Sequence, residues 1–231
     1  VPVHAADTYL SRLIRQKFKV AVCEQTEDPA ESKKRGGKSV VARGVVRLVT
    51  PGTLTEETLL DARRHTYLAA LARTGSGLAL SWLDLSTGEF LVQALDLHTL
   101  EPELARLDPG ELLVSDAALG DPAIATALRD WQAVITPLPR GPADSDATAR
   151  RLAGHYGVAT LDAYGDFSRA EVAALGVVFD YVELTQRGKL PALRPPAVVR
   201  SSKMLSIDAA TRRNLELTRT LSGDREGSLL A

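Results

Sequence analysis

Four carboxylates in this sequence have the residue types that catalysis by metal ions requires. They lie near the ends of predicted strands: Asp84, Glu89, Asp116 and Asp162. Carboxylates gathered at one end of a sheet hold two Mg²⁺ ions about 4 Å apart and promote hydrolysis of a phosphodiester. Aspartate and glutamate are also common in turns that have no catalytic role, and Asp84-Leu-Ser-Thr-Gly88 is typical of such a turn. The pattern therefore leaves a Mg²⁺-dependent nuclease and ordinary turns as alternatives.

A basic stretch offers a second kind of chemistry, contact with the phosphates of nucleic acid. Its cations, set against the single acid Glu31, are Lys33, Lys34, Arg35, Lys38, Arg43 and Arg47. Such a density of cations can neutralise a few phosphates, giving an attraction that depends on salt but not on base sequence. No aromatic residue lies among them, so stacking on bases is not predicted. A solvated loop is the alternative interpretation.

Other motifs do not support nucleotide, metal or thiol chemistry. Gly37-Lys38-Ser39 resembles the end of a phosphate-binding loop, but Ser32 stands where that loop needs its first glycine. The four histidines are widely separated and lack the spacing of metal ligands. Cys23 is the only cysteine, so an internal disulfide is excluded. We interpret it as a packing residue at a strand end, in a protein of a reducing compartment such as the cytoplasm.

The overall composition is that of a water-soluble globular protein. The 231 residues are 45% hydrophobic and 25% charged, with a net charge of -1. A polycation that coats nucleic acid is excluded, so any DNA contact must be local. No apolar run approaches the roughly 18 residues of a membrane span. Met204 is the only methionine, and we therefore expect Val1 to lie within a longer protein.

The N-terminal quarter of the sequence is predicted to form a small unit of its own. Its predicted elements are a helix capped by Asp7, a strand over 18–22, a polar loop over 31–39, a strand over 40–49 and a turn over 50–53. Leu10, Leu13 and Ile14 place one apolar face on the helix. A unit boundary is predicted near residue 55.

The pattern then restarts as a mixed α/β sheet. The predicted elements are strands over 67–72, 78–85 and 89–95, a helix capped by Thr99, a strand over 111–114, a loop over 136–146 and a helix over 147–156. Ser168 and Glu171 form a capping box that opens a long helix, which Gly188 can end. A proline-rich connection, a strand over 204–207 and a helix capped by Asp208 complete the chain.

Seven strings of residues, in order along the chain, resemble the bacterial MutS family of DNA mismatch repair. They are Val1-Pro-Val-His-Ala5, Tyr9-Leu10, Val20-Ala-Val-Cys-Glu-Gln25, Asp28-Pro29, Val45-Val-Arg-Leu-Val-Thr-Pro-Gly-Thr53, Asp84-Leu-Ser-Thr-Gly88 and Ile207-Asp-Ala-Ala-Thr-Arg-Arg-Asn-Leu-Glu-Leu217. The resemblance extends from one end of the chain to the other.

The resemblance implies an α/β fold in three parts. Residues 1–55 correspond to the C-terminal part of a small α/β mismatch-recognition domain, 56–192 to a connector domain with an RNase H-like mixed sheet, and 193–231 to the start of the helical core. The family's Phe-x-Glu mismatch wedge is absent here, and we expect it before Val1. The ATPase is expected after Ala231. This chain is therefore not expected to be an enzyme or to bind a cofactor, whereas ATP and Mg²⁺ belong to the intact family protein.

The resemblance also implies site residues. Candidates for DNA contact are Val1, Pro2, His4, Arg43 and Arg47, of which Pro2 and Arg47 read equally well as packing residues. Candidates for docking the partner protein MutL are Arg150 and Arg151, for which a solvated helix face is the alternative. No catalytic residue and no metal ligand is assigned.

Three functions follow as hypotheses. The first is a part of a mismatch-repair protein that binds mismatched double-stranded DNA, weakly or not at all by itself, and relays that state to the core ATPase and to MutL. The intact protein would be a cytoplasmic homodimer without membrane contact. The second is a free-standing RNase H-like nuclease that cuts branched or hybrid nucleic acid with Mg²⁺. The third is a segment without independent activity.

Overall fold

The computed structural model describes residues 5–34, 40–53, 66–75, 77–139, 144–187, 190–200, 207–224 and 226–230. Within these ranges the chain forms a small N-terminal unit followed by a larger sheet with helices on both faces. None of the helices in the described ranges is long and apolar enough to cross a membrane.

The N-terminal unit is a two-stranded sheet with a helix against it. Its elements are α1 (Ala6–Arg15), β1 (Val20–Gln25), α2 (Pro29–Lys34) and β2 (Arg43–Val49). The strands β1 and β2 are antiparallel, and Val20 lies opposite Val49. Leu10 and Ile14, one helical turn apart, pack on these strands because both point to the same side of α1. The apolar helix face expected from the sequence is therefore present.

Several predicted boundaries in this unit were wrong by a few residues. Lys17 adopts the left-handed conformation after α1, so the chain turns there and β1 starts at Val20 instead of residue 18. Ala5, not Asp7, is the N-cap of α1, and Asp7 lies in the first turn, where a carboxylate complements the helix dipole. Part of the predicted polar loop is the helix α2; residues 35–39 lie outside the described residues.

The interpretation of Cys23 as a packing residue was also wrong. Cys23 is exposed on β1, as a free thiol. The reason is that α1 covers one face of the two-stranded sheet, the face that carries Val20 and Val22. Cys23 alternates to the other face, which no described helix of the unit covers.

The larger sheet confirms the predicted α/β fold with a mixed sheet. Its strands are β3 (Tyr67–Thr74), β4 (Gly77–Asp84), β5 (Glu89–Leu95), β6 (Glu111–Ser115), β7 (Ile135–Leu138) and β8 (Ala197–Val198), in the order β7-β6-β3-β4-β5-β8. Strands β3, β4 and β5 form the expected antiparallel meander. Parallel strands β6 and β7 extend it from β3, which is the strand order of an RNase H-like sheet, and β8 adds a parallel partner to β5.

Helices cover both faces of this sheet and bury its alternating apolar side chains. They are α3 (Leu97–Leu107), α4 (Asp116–Leu119), α5 (Pro122–Ala127), α6 (Ser145–Tyr156), α7 (Arg169–Thr185) and, beyond the sheet, α8 (Ala209–Asn214). Leu68 and Ala70 point to the core under α7, whereas Ala69 and Leu71 point to the core under α3. Each fully buried leucine of these cores contributes about 1.5–3 kcal/mol to folding.

Sequence patterns predicted some helix caps and short elements correctly and others incorrectly. The capping box of α7 is confirmed, since Ser168 Oγ accepts from the Glu171 amide at 3.3 Å and Glu171 accepts from the Ser168 amide at 2.7 Å. For α3 the cap is Asp96, with Thr99 in the third helical position. The region predicted as a loop from residue 136 begins with the strand β7.

The C-terminal predictions were only partly correct. Helix α7 ends at Thr185, before Gly188, which lies outside the described residues. Asp208 does cap α8, accepting from the Thr211 amide at 2.8 Å. That helix ends at Asn214, so the leucines assigned to it at 215, 217 and 221 follow it. The strand predicted over 204–207 also falls largely outside the described residues.

Candidate functional site

The two arginines proposed to contact DNA lie on β2 but point to opposite faces of its sheet. Arg43 is paired with Gln25 and Arg47 with Val22, and a bulge between these pairs shifts the register by one residue. Directly opposite residues share a face, and Gln25 and Val22 are an odd number of positions apart on β1. The bulge therefore separates two side chains that strict alternation would have placed together.

Their surroundings differ accordingly. Arg43 is exposed at the start of β2, whereas Arg47 is half-buried on the face that packs against α1. Arg43 is thus free of packing constraints and accessible to a phosphate, while Arg47 has the partial burial expected of its alternative packing role. Val1, Pro2 and His4 lie outside the described residues.

The two arginines proposed to dock a partner lie side by side on α6 and also differ. Arg151 forms ion pairs with Asp180 at 2.7 Å and with Glu183 at 2.9 Å, both on α7, and its guanidinium lies 5.7 Å from the ring centre of Phe179. Half-burial raises the pKa of the Asp180 carboxyl, and Arg151 opposes that shift. Arg151 therefore fastens α6 to α7.

Arg150 lines an open cavity of about 360 Å³ between the starts of α6 and α7. The cavity wall also carries Arg169, Asp146, Asp162 and the ring of Phe167. Two guanidinium groups, two carboxylates and an aromatic ring give this surface a mixed polar and apolar character. Such a surface is typical of the rim of a protein–protein interface.

The carboxylates considered for nuclease chemistry do not converge as a set, because Asp84 and Glu89 pair across β4 and β5 whereas Asp162 lies by the cavity between α6 and α7. Asp84 ends β4 beside Tyr67, whereas Asp116 follows β6 at the other end of β3. The pairing of Val114 with Leu71 puts at least four residues, about 13 Å, between the two positions. Asp84 accepts two hydrogen bonds from Ser86, at 2.9 Å and 2.6 Å, as turn chemistry requires. The described residues contain no group of three side chains suited to a metal ion, and the geometry does not favour the nuclease alternative.

A buried carboxylate joins the N-terminal unit to the larger sheet. Glu111 is the first residue of β6 and is only 2% exposed. From the sheet and α7 it accepts hydrogen bonds from Thr136 at 2.6 Å and from Tyr181 at 2.7 Å. From the N-terminal unit it accepts from the Thr50 hydroxyl at 2.5 Å and the Gly52 amide at 3.3 Å. Together with Lys19, these residues form what we call the Glu111 junction.

Lys19 supplies the cation of the Glu111 junction. Its ammonium group lies 3.3 Å from Glu111 Oε1 and donates a hydrogen bond to the Thr136 hydroxyl at 2.9 Å. It also lies 5.8 Å from the ring centre of Tyr181, within the range of a cation–π contact. Burial raises the pKa of Tyr181, and the negative charge of Glu111 raises it further, so the phenol stays protonated and donates. These donors replace the water that a buried carboxylate would otherwise bind.

The chain segment between the two units is packed tightly against the junction. Thr50 and Thr53 bond to each other through their hydroxyls at 2.9 Å, and both are 1% exposed. A Cβ on Gly52 would lie 2.8 Å from the Cβ of Glu111 and 2.9 Å from Cδ1 of Leu68. Only glycine permits this close approach of the connecting segment to β6 and β3.

The junction was missed from the sequence alone. The sequence predicts a strand that begins at Glu111, and no local pattern marks its carboxylate as buried. The available signal was the string Thr50-Pro-Gly-Thr53, read only as a turn. Thr50 and Gly52, 61 and 59 positions before Glu111, contact that carboxylate only through the tertiary fold, which local patterns do not report.

Comparisons with known proteins agree with the resemblance. The family model described as MutS domain II matches residues 66–194, and that described as MutS domain I matches residues 1–58. The DNA mismatch repair protein MutS of Roseobacter denitrificans is 56% identical over 231 residues, and that of Paracoccus denitrificans is 58% identical over the same length. The whole chain is covered in both alignments, and it spans 26% of the length of each relative.

One solved structure, the large terminase nuclease from thermophilic phage G20c, is 19% identical in sequence and has a TM-score of 0.27. The alignment covers 68% of this chain and 66% of the terminase chain. A likeness of this size bears on neither fold nor function. The matched regions are MutS domains I and II. Domain II alone accounts for more than half of the chain, and the chain belongs to the MutS family of DNA mismatch repair proteins.

Proposed function

We propose that this chain carries the state of bound, mismatched DNA from the mismatch-recognition domain to a connector domain, and from there to the ATPase core and to MutL. Family membership supports a role in mismatch repair. The connector boundaries at residues 56 and 192 belong to this proposal. So do the binding of ATP and Mg²⁺ outside these residues, a homodimer of the intact protein, and a cytoplasmic location that suits the free thiol of Cys23.

The Glu111 junction is the observation that carries the proposal. A signal passes between two units only if the position of one unit changes the favoured position of the other. This requires a contact that prevents the two units from moving independently. Thr50 and Gly52 on one side and Thr136 and Tyr181 on the other share a single buried carboxylate. Separating the units would break the hydrogen bonds from Thr50 and Gly52, and a hydrogen bond to a charged group is worth about 1.5–3 kcal/mol. The junction therefore makes the units move as coupled bodies.

DNA contact is proposed for the N-terminal unit. Arg43 has the exposure needed to neutralise a phosphate. Arg47, half-buried beside α1, is proposed to position the strand that carries Arg43. Val1, Pro2 and His4 are proposed to lie near the duplex by the family resemblance alone.

MutL docking is proposed for the surface around α6. Arg150 is exposed beside the 360 Å³ cavity and is available to a partner carboxylate. Arg151 is already paired with two carboxylates of α7, so its role is to hold α6 in place. The two neighbours are thus expected to behave differently when substituted.

Titration of this chain with a MutL homologue from the same source tests the docking proposal. We expect saturable binding that Arg150→Glu weakens about tenfold, a change of about 1.4 kcal/mol. Arg129→Glu is the matched control, because Arg129 is an exposed arginine that begins a short 3-10 helix, Arg129–Val134, on the other face of the sheet. Equal binding by the Arg150→Glu variant and the wild type would remove this surface from the proposal.

The DNA proposal is tested in the same experiment with heteroduplex and matched DNA at two salt concentrations. We expect weak binding without preference for the mismatch, and a salt slope that Arg43→Ala lowers by about one charge. A strong mismatch preference in this chain would contradict the expectation that the Phe-x-Glu wedge is required.

A further inference from the structure

The contacts of the Glu111 junction fall into two groups that differ in burial. Thr50, Gly52 and Thr53 belong to the connecting segment, and both threonines are 1% exposed. Lys19 comes just before β1, at the same end of the two-stranded sheet as Thr50 because Val20 pairs with Val49, and its side chain is 49% exposed. Glu111 therefore accepts from buried donors on the connecting segment, Thr50 and Gly52, and from one solvent-exposed donor, Lys19.

The buried connecting segment, with Thr50, Gly52 and Thr53, has the properties of a pivot. The connecting segment follows β2 directly, is held by the Thr50–Thr53 hydrogen bonds and is wedged by Gly52 against Glu111 and Leu68. Its polar groups have no alternative partner without admitting water. Because adjoining backbone also packs there, with the Pro51 carbonyl oxygen 2.9 Å from where a Cβ on Gly110 would lie, this segment keeps its place when the units shift.

Lys19 has the properties of a contact that opens. Its ammonium group can exchange Glu111 and Thr136 for water at little cost because half of the side chain is already solvated. Its position matters because Val20, the next residue, pairs with Val49 at the end of β2. Releasing Lys19 removes the contacts of its ammonium group with Glu111 and Thr136, while the end of β2 stays held through Thr50.

We propose that Lys19 is a latch that fixes the angle of the N-terminal unit about a pivot formed by Thr50, Gly52 and Glu111. With Lys19 seated on Glu111, the unit has one orientation against the larger sheet. With Lys19 released, the unit swings about the connecting segment and the orientation becomes a mixture. This inference rests on the proposed function and deepens it, because it names the contact whose opening separates two arrangements of the connector and the DNA-binding unit.

The distance between two labels, one on each unit, tests the latch. Cys23 is exposed on β1 and is the only cysteine, so it provides the first site without substitution. Gly154→Cys provides the second, because a Cβ at this position on α6 meets no atom within 4 Å. Spin labels at both sites report the distribution of distances by double electron–electron resonance.

Three variants of the labelled chain separate charge from packing. Lys19→Met keeps the aliphatic stem but removes the cation, and we expect a second distance population absent from the unsubstituted labelled chain. Lys19→Arg keeps the cation and should restore a single population. Lys17→Met, two residues away and outside the Glu111 junction, is the control for loss of charge and should match the unsubstituted distribution.

A single unchanged population in Lys19→Met would overturn the proposal, and so would equal broadening in Lys17→Met. Should Lys19→Met fail to fold, the unsubstituted chain in about 1 M NaCl, where the Debye length is about 3 Å, gives the same test without a substitution. There the second population should appear, and its absence would reject the latch. The distance measurement contains neither MutL nor DNA. A chain that binds neither partner would therefore contradict the proposed function without changing the result for the latch.

Discussion

At the scale of the residue, the side chain that organises this protein is a glutamate in the first position of a buried strand. A carboxylate that is 2% exposed survives inside a protein only when donors replace its water. Glu111 has two threonine hydroxyls, a tyrosine hydroxyl, an amide and a lysine to do so. Removing any one donor changes the stability of the charge that the others share.

Tyr181→Phe tests this dependence. The substitution keeps the ring and removes the hydroxyl that bonds Glu111 at 2.7 Å. We expect the free energy of unfolding in urea to fall by about 1–3 kcal/mol, the cost of a buried acceptor that loses a donor. Tyr164→Phe is the matched control, since Tyr164 contacts Tyr156 through its ring and should lose little. Equal losses in the two variants would contradict a special role of the Tyr181 hydroxyl.

Comparing the wild type with Tyr181→Phe at high pH gives a second test of the Tyr181 hydroxyl. Burial and the charge of Glu111 raise the pKa of Tyr181 above its ordinary value of about 10. The unfolded chain loses that proton near pH 10 while the folded chain keeps it, so stability falls as pH rises above 10. Tyr181→Phe should show a shallower fall. Tyr67 and Tyr156, whose pKa values burial also raises, are present in both proteins and cancel in the comparison.

At the scale of the element, the sheet is defined by short segments whose ends are fixed by side chains. Helix α7 is the clearest case, because its capping box fixes the first turn and its middle lies across β3, β4 and β5. Twelve of its residues are buried, so an error in where it begins would displace much of one core.

Ser168→Ala tests the cap of α7. Loss of the hydroxyl leaves the Glu171 amide without its acceptor, and we expect the protein to lose about 0.5–2 kcal/mol of stability in thermal or urea unfolding. Ser11→Ala is the matched control in the middle of α1, where alanine favours a helix more than serine does. A Ser168→Ala protein as stable as the Ser11→Ala protein would show that the cap contributes nothing.

The sequence was sufficient for elements that carry strong local signals. The meander of β3, β4 and β5 follows from alternating apolar residues and two short turns, and α7 follows from its capping box. It was insufficient for α4, α5 and β7, since elements of four to six residues are too short to show a period. The same limit explains the site: Arg43 and Arg47 share a face by strict alternation, and only the pairing with β1 reveals the bulge that separates them.

At the scale of the whole molecule, the Glu111 junction holds the two units together within a small volume. The connecting segment, β6 and β3 meet at Gly52, where the absence of a side chain decides how closely the units approach. Stability and orientation of the whole therefore depend on a position that contributes no side-chain contact of its own.

Gly52→Ala tests this dependence. A methyl group would lie 2.8 Å from Glu111 Cβ and 2.9 Å from Leu68 Cδ1, so the connecting segment must move away. We expect a loss of about 1–3 kcal/mol in the free energy of unfolding from overpacking. Gly154→Ala is the matched control, because its added methyl meets no atom within 4 Å and alanine favours the helix. An equally stable Gly52→Ala protein would mean that the units are not pressed together at this point.

The strands at the two edges of the larger sheet have a consequence for the behaviour of the protein in solution. One edge strand, β7, contains Pro137, which has no amide hydrogen to offer another chain, and the other, β8, is two residues long. An edge that is interrupted or very short is a poor template for adding a strand from a neighbouring molecule. At high concentration, this sheet is therefore protected against edge-to-edge aggregation.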